Sequence, residues 1–304
     1  MQNAQRWRWL IALLTVVALM GAACGGGEEE TDTGTGDNGT QEEEFPADST
    51  MAALQEEGSI TIGVKFDVPP FGFVRPGEDE PQGFDVDLGN IIADRLGVEA
   101  EFVEAISDNR IPFLKDGTVD LILSTMTITT DRDAEIDFSR PYFIAHQRLL
   151  VPEGSDIKGL DDLAGKTVCT VLGSTGESNL KEKAPDAKRR TVDAYSECFE
   201  LLQNGAVDAE ISDDVILTGQ IIQDDSLQLV GPELTTEPYG VGIPDGQTDM
   251  QEFIDGVLQD IFDSGEWDEM YDEWVGQYTG QEPDHPSRLT LQDALDLFPC
   301  VEFC

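Results

Sequence analysis

The chain has 304 residues, of which 62 are acidic and 18 basic, for a formal charge of −44 at neutral pH. A surface this acidic excludes wrapping a nucleic-acid backbone, where Lys and Arg must replace counterions, and excludes attachment to anionic lipid through a basic face. The 39% hydrophobic content and 14 Phe exclude a chain disordered throughout, and at roughly 150 residues per domain the length suffices for two domains.

Residues 1–23 open with Arg6 and Arg8, run apolar from Leu10 to Met20, and end in Gly21, Ala22 and Ala23 before Cys24. A charged start, a short apolar stretch and a small-residue exit describe an export signal, too short for a membrane span. The junction resembles the bacterial lipoprotein cleavage box, although Gly21 stands where Leu is commoner. That resemblance implies that Cys24 is lipidated, becomes the mature N-terminus and anchors the protein to the outer face of the cell membrane. A plain secretory signal with an incidental thiol is the other reading. From Cys24 to residue 57 the chain is expected to be a disordered acidic tether; its segment 25–50 has almost no apolar residue and a reach on the order of 30 Å. Gly34, Gly36 and Gly39 match G-x-G-x-x-G there, but no strand precedes and no helix follows, so no dinucleotide site is read from them.

Beyond residue 58, short Val-, Ile- and Leu-rich runs at 59–65, 101–104, 119–124, 148–151, 167–171, 207–212, 227–230 and 239–243 read as strands. Between them lie helical patterns, such as 86–96 with Leu88, Ile91, Ile92 and Leu96 on one stripe. The clearest helix spans 249–263, where Met250, Phe253, Ile254, Val257, Leu258, Ile261 and Phe262 recur at helical spacing. A second follows Gly265 with Trp267, Met270, Tyr271, Trp274 and Val275. Such alternation predicts an α/β fold with largely parallel sheets, and residues 277–304 read as an appended tail.

Four cysteines remain beyond Cys24, in an oxidising compartment if the chain is exported. Cys169 and Cys198 fall in structured segments of one predicted domain, while Cys300 and Cys304 share the tail. The expected bridges are Cys169–Cys198 and, second, Cys300–Cys304. No CxxC pair or clustered His supports a metal site, and no cofactor is expected.

Four strings carry a family resemblance: GFDVDLGNIIADRLG (83–97), NRIPFLKDGTVDLILSTMTITTDRDAEIDFSRPYF (109–143), DDLAGKTVCTVLGSTGESNL (161–180) and NGAVDAEISDDVILTG (204–219). Together they resemble the family 3 extracellular solute-binding proteins, the receptors of polar amino-acid ABC importers. The Cys169/Cys198 pair and EPYGVGIPDG resemble the actinobacterial glutamate-binding branch of these lipoproteins. The resemblance implies a two-lobe periplasmic-binding-protein-like fold of type II, with the ligand cleft between lobes joined by two hinge crossovers. Lobe 1 would be 58–141 plus 244–276, lobe 2 would be 147–237, and the crossovers 142–146 and 238–243.

An amino-acid receptor needs charges of both signs held apart, each paired and hydrogen-bonded. The resemblance assigns Arg132, at the end of MTITTDR, to the ligand α-carboxylate, a role that suits a planar fork. It assigns Thr125 and Thr127 to hydrogen bonds at the same end, Thr175 to the lobe 2 contact with that carboxylate, and Asp213 to the ammonium. On the residues alone, Arg132 would equally suit a surface ion pair with Asp131 or Asp133, and Asp213 a helix cap. Lys65 and Arg110, with Ser107 three residues before the arginine, stand where acidic-amino-acid receptors of this family carry cations. The aromatic sandwich of the glutamine and basic-residue relatives is missing, its positions being Val68 and Ser107. Two cations without that clamp point to a second carboxylate on the ligand, hence L-glutamate or L-aspartate. An interlobe salt bridge is the other reading of Lys65 and Arg110. Phe66, Phe71 and Phe73 are expected in the core or cleft wall.

The function implied is capture of an acidic amino acid and its delivery to a membrane permease, by a protein expected to act as a monomer. Glutamine is the alternative ligand. An enzyme on this fold, such as a cyclohexadienyl or arogenate dehydratase, is disfavoured because the two His lie at a crossover (His146) and in the tail (His285), away from any cleft. A sensory ectodomain is the third reading. No catalytic residue is assigned.

Overall fold

Burial of β-branched runs builds the sheets, and the computed structural model describes residues 45–280 and 282–298. The readings made for Cys24, Cys300 and Cys304 lie outside these residues. Twelve strands form among them: β1 (Ser59–Val64), β2 (Asp67–Val68), β3 (Gly72–Val74), β4 (Pro81–Gln82), β5 (Glu99–Glu104), β6 (Leu121–Ile122), β7 (Asp137–Pro152), β8 (Thr167–Val171), β9 (Lys188–Val192), β10 (Ala209–Asp213), β11 (Leu227–Val230) and β12 (Thr236–Ile243).

The main sheet runs β5-β1-β6-β12-β7-β10-β8-β9, with β11 also on β7, and β2-β3-β4 form a small separate meander. β1 pairs in parallel with β5 and β6, and β8 in parallel with β10 and β9. Every antiparallel pair of this sheet involves β7 or β12. The parallel expectation therefore holds for two blocks and gives way at the seam between them. β7 makes that seam: it pairs with β12 from Asp137 to His146, then with β10 and β11 from Gln147 to Pro152. Pro141 lacks a ladder N–H, and it sits opposite Gly240, where the register slips. A bulge is where a proline can stay inside a sheet.

Aromatic rings fill the space below the seam. Phe71, Phe84, Tyr142 and Tyr239 are inaccessible, with Phe71 and Phe143 edge-to-face at 4.9 Å. Phe84–Leu96 buries Leu88, Ile92 and Leu96 of the expected stripe, leaves Ile91 half-buried against the core, and ends on Gly97, whose φ of 79° favours glycine. Thr248–Ser264 buries Met250, Ile254, Val257, Leu258, Ile261 and Phe262.

Two expectations are corrected. The tether does not extend to residue 57, because Thr50–Glu57 is a helix capped by the Ser49 hydroxyl, with Leu54 buried and Asp249 accepting from the Thr50 amide at 2.7 Å. The C-terminal segment is not a free appendage. Leu291–Leu297 starts with a Thr290/Asp293 capping box and buries Ala294 in the cluster of Leu114, Ile128 and Phe138. Phe298 O then accepts from both the amide and the hydroxyl of Thr130 (3.2 and 2.9 Å).

Cys169 of β8 is bonded to Cys198 of the helix Tyr195–Gln203, as expected. The bond spans a sequence separation of 29 residues, for which chain-entropy reasoning assigns about 3.6 kcal/mol. The double variant Cys169→Ala/Cys198→Ala is expected to lose that amount in urea unfolding; an unchanged midpoint at unchanged slope would contradict it.

Candidate ligand-binding site

Parallel strands direct the chain so that loops gather at their carboxyl ends, where open α/β sheets bind ligands. The expected site residues lie there. Lys65 follows β1, Ser107 and Arg110 follow β5, Thr125, Thr127 and Arg132 follow β6, Thr175 follows β8, and Asp213 ends β10. The two blocks face each other across this gap.

Lys65 is buried, and its Nζ donates to Ser107 Oγ at 2.9 Å and Ala105 O at 3.3 Å. Arg110 is also buried, starting the helix Arg110–Asp116. It donates from Nε to Ser107 O (3.0 Å), from Nη1 to Ser124 O and Thr125 O (2.9 and 3.2 Å), and from Nη2 to Gly173 O (3.2 Å). Arg132 lies in the short helix Thr130–Asp133, capped by Thr129, and donates to Thr127 O at 2.6 Å and Gly173 O at 3.0 Å. One carbonyl of the second block, Gly173, therefore serves two arginines of the first. Gly173 has φ +73°, and a Cβ there would lie 2.9 Å from the Asp108 Cα, so the blocks approach at backbone contact.

Among the described residues no carboxylate lies within 4.0 Å of Lys65, Arg110 or Arg132, so the surface ion pair with Asp131 or Asp133 does not form. Burial, reinforced by the Arg110 charge, pushes Lys65 well below the usual lysine range. The same two causes, in that order, bring Arg132 down to about 9. Burial likewise lowers Arg110, against the pull of Tyr195 and Asp213.

Asp213 occupies the N-cap position of Asp214–Gln223, yet its side chain makes no cap bond. It accepts from the Tyr239 hydroxyl at 2.5 Å, and burial followed by the Glu237 charge holds it well above the usual carboxylate range. Thr125 has φ +44°, a strained conformation for a β-branched residue. Its amide donates to Asp85 Oδ2 at 3.0 Å, its carbonyl serves Arg110, and its Oγ1 is buried with no hydrogen-bond partner. The Thr127 and Thr175 hydroxyls both donate to Glu237 Oε2 at 2.8 Å.

Sequence reasoning missed Glu237, Asp85, Tyr195 and Tyr239. Glu237 was signalled by one acid in an otherwise apolar strand, within a string already noted for its resemblance. Asp85 reads as an ordinary first-turn acid of a helix, whereas it is buried beneath Thr125, accepts from the Tyr142 hydroxyl at 2.8 Å, and is raised to about 6, chiefly by burial. The Tyr195 hydroxyl lies by Ser107 and Ser212, and no spacing rule would reveal it. Phe71 is in the core as expected, while Phe66 and Phe73 are half-buried along a rim groove with Tyr195 and Phe199.

Residues 60–277 match the model of bacterial extracellular solute-binding proteins, family 3. The chain belongs to that family. This solute-binding protein is 40% identical over 270 residues to the ABC transporter glutamine-binding protein GlnH of Bacillus subtilis, covering 88% of this chain and 95% of the relative. It is 34% identical over 245 residues to the glutamate-binding protein GluB of Corynebacterium efficiens, covering 76% and 83%. Among solved structures, an ancestral arginine-binding protein bound to arginine superposes with a TM-score of 0.69 at 37% identity, covering 72% of this chain and 99% of that one. The fold is the two-lobe type II binding-protein fold, and these relatives are transport receptors, not enzymes. No helix of the described residues is long and apolar enough to cross a membrane.

The lobes also meet where the Ser196 amide donates to Asp67 Oδ2 at 2.9 Å and where Gly219 faces Pro69. A Cβ on Gly219 would lie 1.8 Å from Pro69 O, a backbone atom that cannot swing aside. Alanine suits a helix interior better than glycine by up to about 1 kcal/mol. Gly219→Ala is therefore expected to keep or raise thermal stability while weakening ligand affinity about tenfold or more by obstructing closure. Unchanged affinity in calorimetry would show that this contact is not required in the bound form.

Proposed function

We propose that this amino-acid solute-binding protein of an ABC importer captures an acidic amino acid, L-glutamate or L-aspartate, by lobe closure and delivers it to a membrane permease. No chemistry is done on the ligand; binding stabilises a closed form that a permease can distinguish from the open one. The lobes are taken as 58–141 plus 244–276 and 147–237, turning about 142–146 and 238–243 on β7 and β12. A lipid anchor at Cys24 and action as a monomer complete this reading.

One observation carries it. Lys65 and Arg110 are both buried, converge on Ser107, and have no carboxylate partner within 4.0 Å among the described residues. An uncompensated buried charge costs several kcal/mol, so a ligand carboxylate entering there gains what the protein does not supply. Arg132 then holds the α-carboxylate and Asp213 the ammonium, with Thr125, Thr127 and Thr175 completing the polar contacts. Arg110 has four of its five N–H groups committed to carbonyls, so it contributes field and one donor, and Lys65, with two of its three N–H groups engaged, has one donor left as well.

A glutamine receptor is the second reading, supported by the 40% identity to glutamine-binding GlnH. A lysine pushed down far enough to be neutral could accept an amide N–H, so the site chemistry accommodates it. Calorimetry with Glu, Asp, Gln, Asn, His and Arg separates the two. The acidic reading expects Glu or Asp to bind at least about tenfold tighter than its amide, Lys65→Gln to remove most of that preference, and Arg132→Ala to abolish binding of every amino acid. Equal binding of Glu and Gln would overturn it.

The pH dependence gives an independent check. A carboxylate beside Lys65 raises a pKa that the empty site depresses. Affinity is then highest below the empty-site pKa and falls as pH rises through the bound one, with proton uptake on binding between them. Asp213 responds oppositely, but to the ammonium that Glu and Gln share. The difference in proton uptake between these ligands, from calorimetry in buffers of different ionisation enthalpy, is expected to favour Glu and to vanish in Lys65→Gln.

A further inference from the structure

Residues 282–298 lie beyond the 60–277 that match the family model, yet they are tied down along their length. The His285 ring sits 4.5 Å from the Trp267 ring, and Ser287 O accepts from Arg140 Nη2 at 2.9 Å. Ala294 is inaccessible in the cluster of Ile128, Ile136 and Phe138, with Leu291 and Leu295 packed against the same cluster. At Phe298 the carbonyl accepts from the Thr130 amide and hydroxyl, at 3.2 and 2.9 Å. Phe298 also lines one cavity with Arg132, Thr175 and Asn179, so this segment reaches the Arg132 end of the gap.

The backbone that carries Arg132 depends on outside support. Thr130–Asp133 is a helix of four residues, far too short to hold itself in water. Thr129 satisfies two of its first N–H groups, giving its hydroxyl to the Arg132 amide at 3.3 Å and its carbonyl to the Asp133 amide at 2.9 Å. The Thr130 amide has no acceptor within the helix, and Phe298 O supplies one. Ile128 before the helix and Ile136 after it are both inaccessible in the cluster that receives Ala294. The segment thus bonds the start of the arginine's turn and packs against both its flanks. The guanidinium donates elsewhere, to Thr127 O and Gly173 O. We propose that residues 290–298 are a strap whose end, Phe298, positions Arg132 for the ligand α-carboxylate through the Thr130 contact. The strap acts on a group that every amino acid carries, so it strengthens binding of all of them and leaves the choice among side chains to Lys65 and Arg110. The inference rests on the reading of Arg132 as the α-carboxylate anchor, but not on whether the ligand side chain is an acid or an amide.

Thr130→Pro removes both donors to Phe298 at once. Proline suits the first residue of a helix, and Thr129, at φ −138° and ψ 151°, already has the extended backbone that precedes a proline. Calorimetry compares the amino acid that the wild-type protein binds most tightly with its α-carboxamide: L-glutamate with L-isoglutamine, or L-glutamine with L-glutaminamide. The wild-type protein is expected to prefer the free carboxylate. Thr130→Pro is expected to lower that preference about fivefold or more, by weakening the carboxylate compound while the carboxamide binds as before. Ala294→Glu, which drives the helix off its cluster, is expected to lower it likewise, whereas Thr130→Ser keeps both donors and is expected to match the wild type. Thermal unfolding followed by circular dichroism establishes that each variant is folded, and Thr130→Val, which removes the hydroxyl alone, serves if Thr130→Pro is not. A parallel loss of both compounds would mean a purely structural brace and overturn the proposal, as would a preference unchanged in Thr130→Pro. A wild-type protein without any preference for the carboxylate would instead overturn the assignment of Arg132, and the strap's role with it.

Discussion

Burying positive charge without a counter-charge is the constraint around which the cleft is organised. Lys65, Arg110 and Arg132 would be untenable in an apolar interior. They are held here by main-chain oxygens of Ala105, Ser107, Ser124, Thr125, Thr127 and Gly173. Carbonyl dipoles solvate a cation without cancelling it. Burial depresses Lys65 and Arg132, and the repulsion of Arg110 adds to it. A site with donors preset and charge uncancelled is suited to an anion arriving from solvent. The acids keep a matching arrangement: Asp213 and Glu237 are met by hydroxyls instead of the neighbouring cations.

That separation depends on the seam. β7 is long enough to belong to both parallel blocks, and β12 lies against it, so residues of the two blocks reach one gap; one buried cluster runs through both blocks, and each keeps a smaller one of its own. The backbone approaches at Gly173 and Gly219 leave no room for a side chain. Both are places where added bulk would be felt by closure before it is felt by folding. The C-terminal helix, whose end is bonded to Thr130 beside Arg132, adds a brace to the arginine's short helix.

Several features were legible along the chain because their physics is local. The amphipathic periods gave Phe84–Leu96 and Thr248–Ser264 to within a few residues. The Val- and Ile-rich runs gave β8 and β11 with their observed bounds. Lys188–Val192 escaped notice because KRRTV is an edge strand with three exposed side chains, and it carries no apolar signal. The full length of β7 escaped because Pro141 reads as a strand breaker; only the bulge opposite it, contributed by a segment about a hundred residues away, makes the proline tolerable.

By itself, the sequence determined the α/β class and pointed to the Cys169–Cys198 pair, since composition and periodicity are written along one chain, while the cations expected in the cleft came from the family resemblance of its motifs. Which charges lack partners, and that the hydroxyls of Thr127 and Thr175 meet on Glu237, were decided by the tertiary structure alone. Those properties depend on distances between β6, β8 and β12, and a hydrogen bond has a direction that no residue carries until its neighbour is in place.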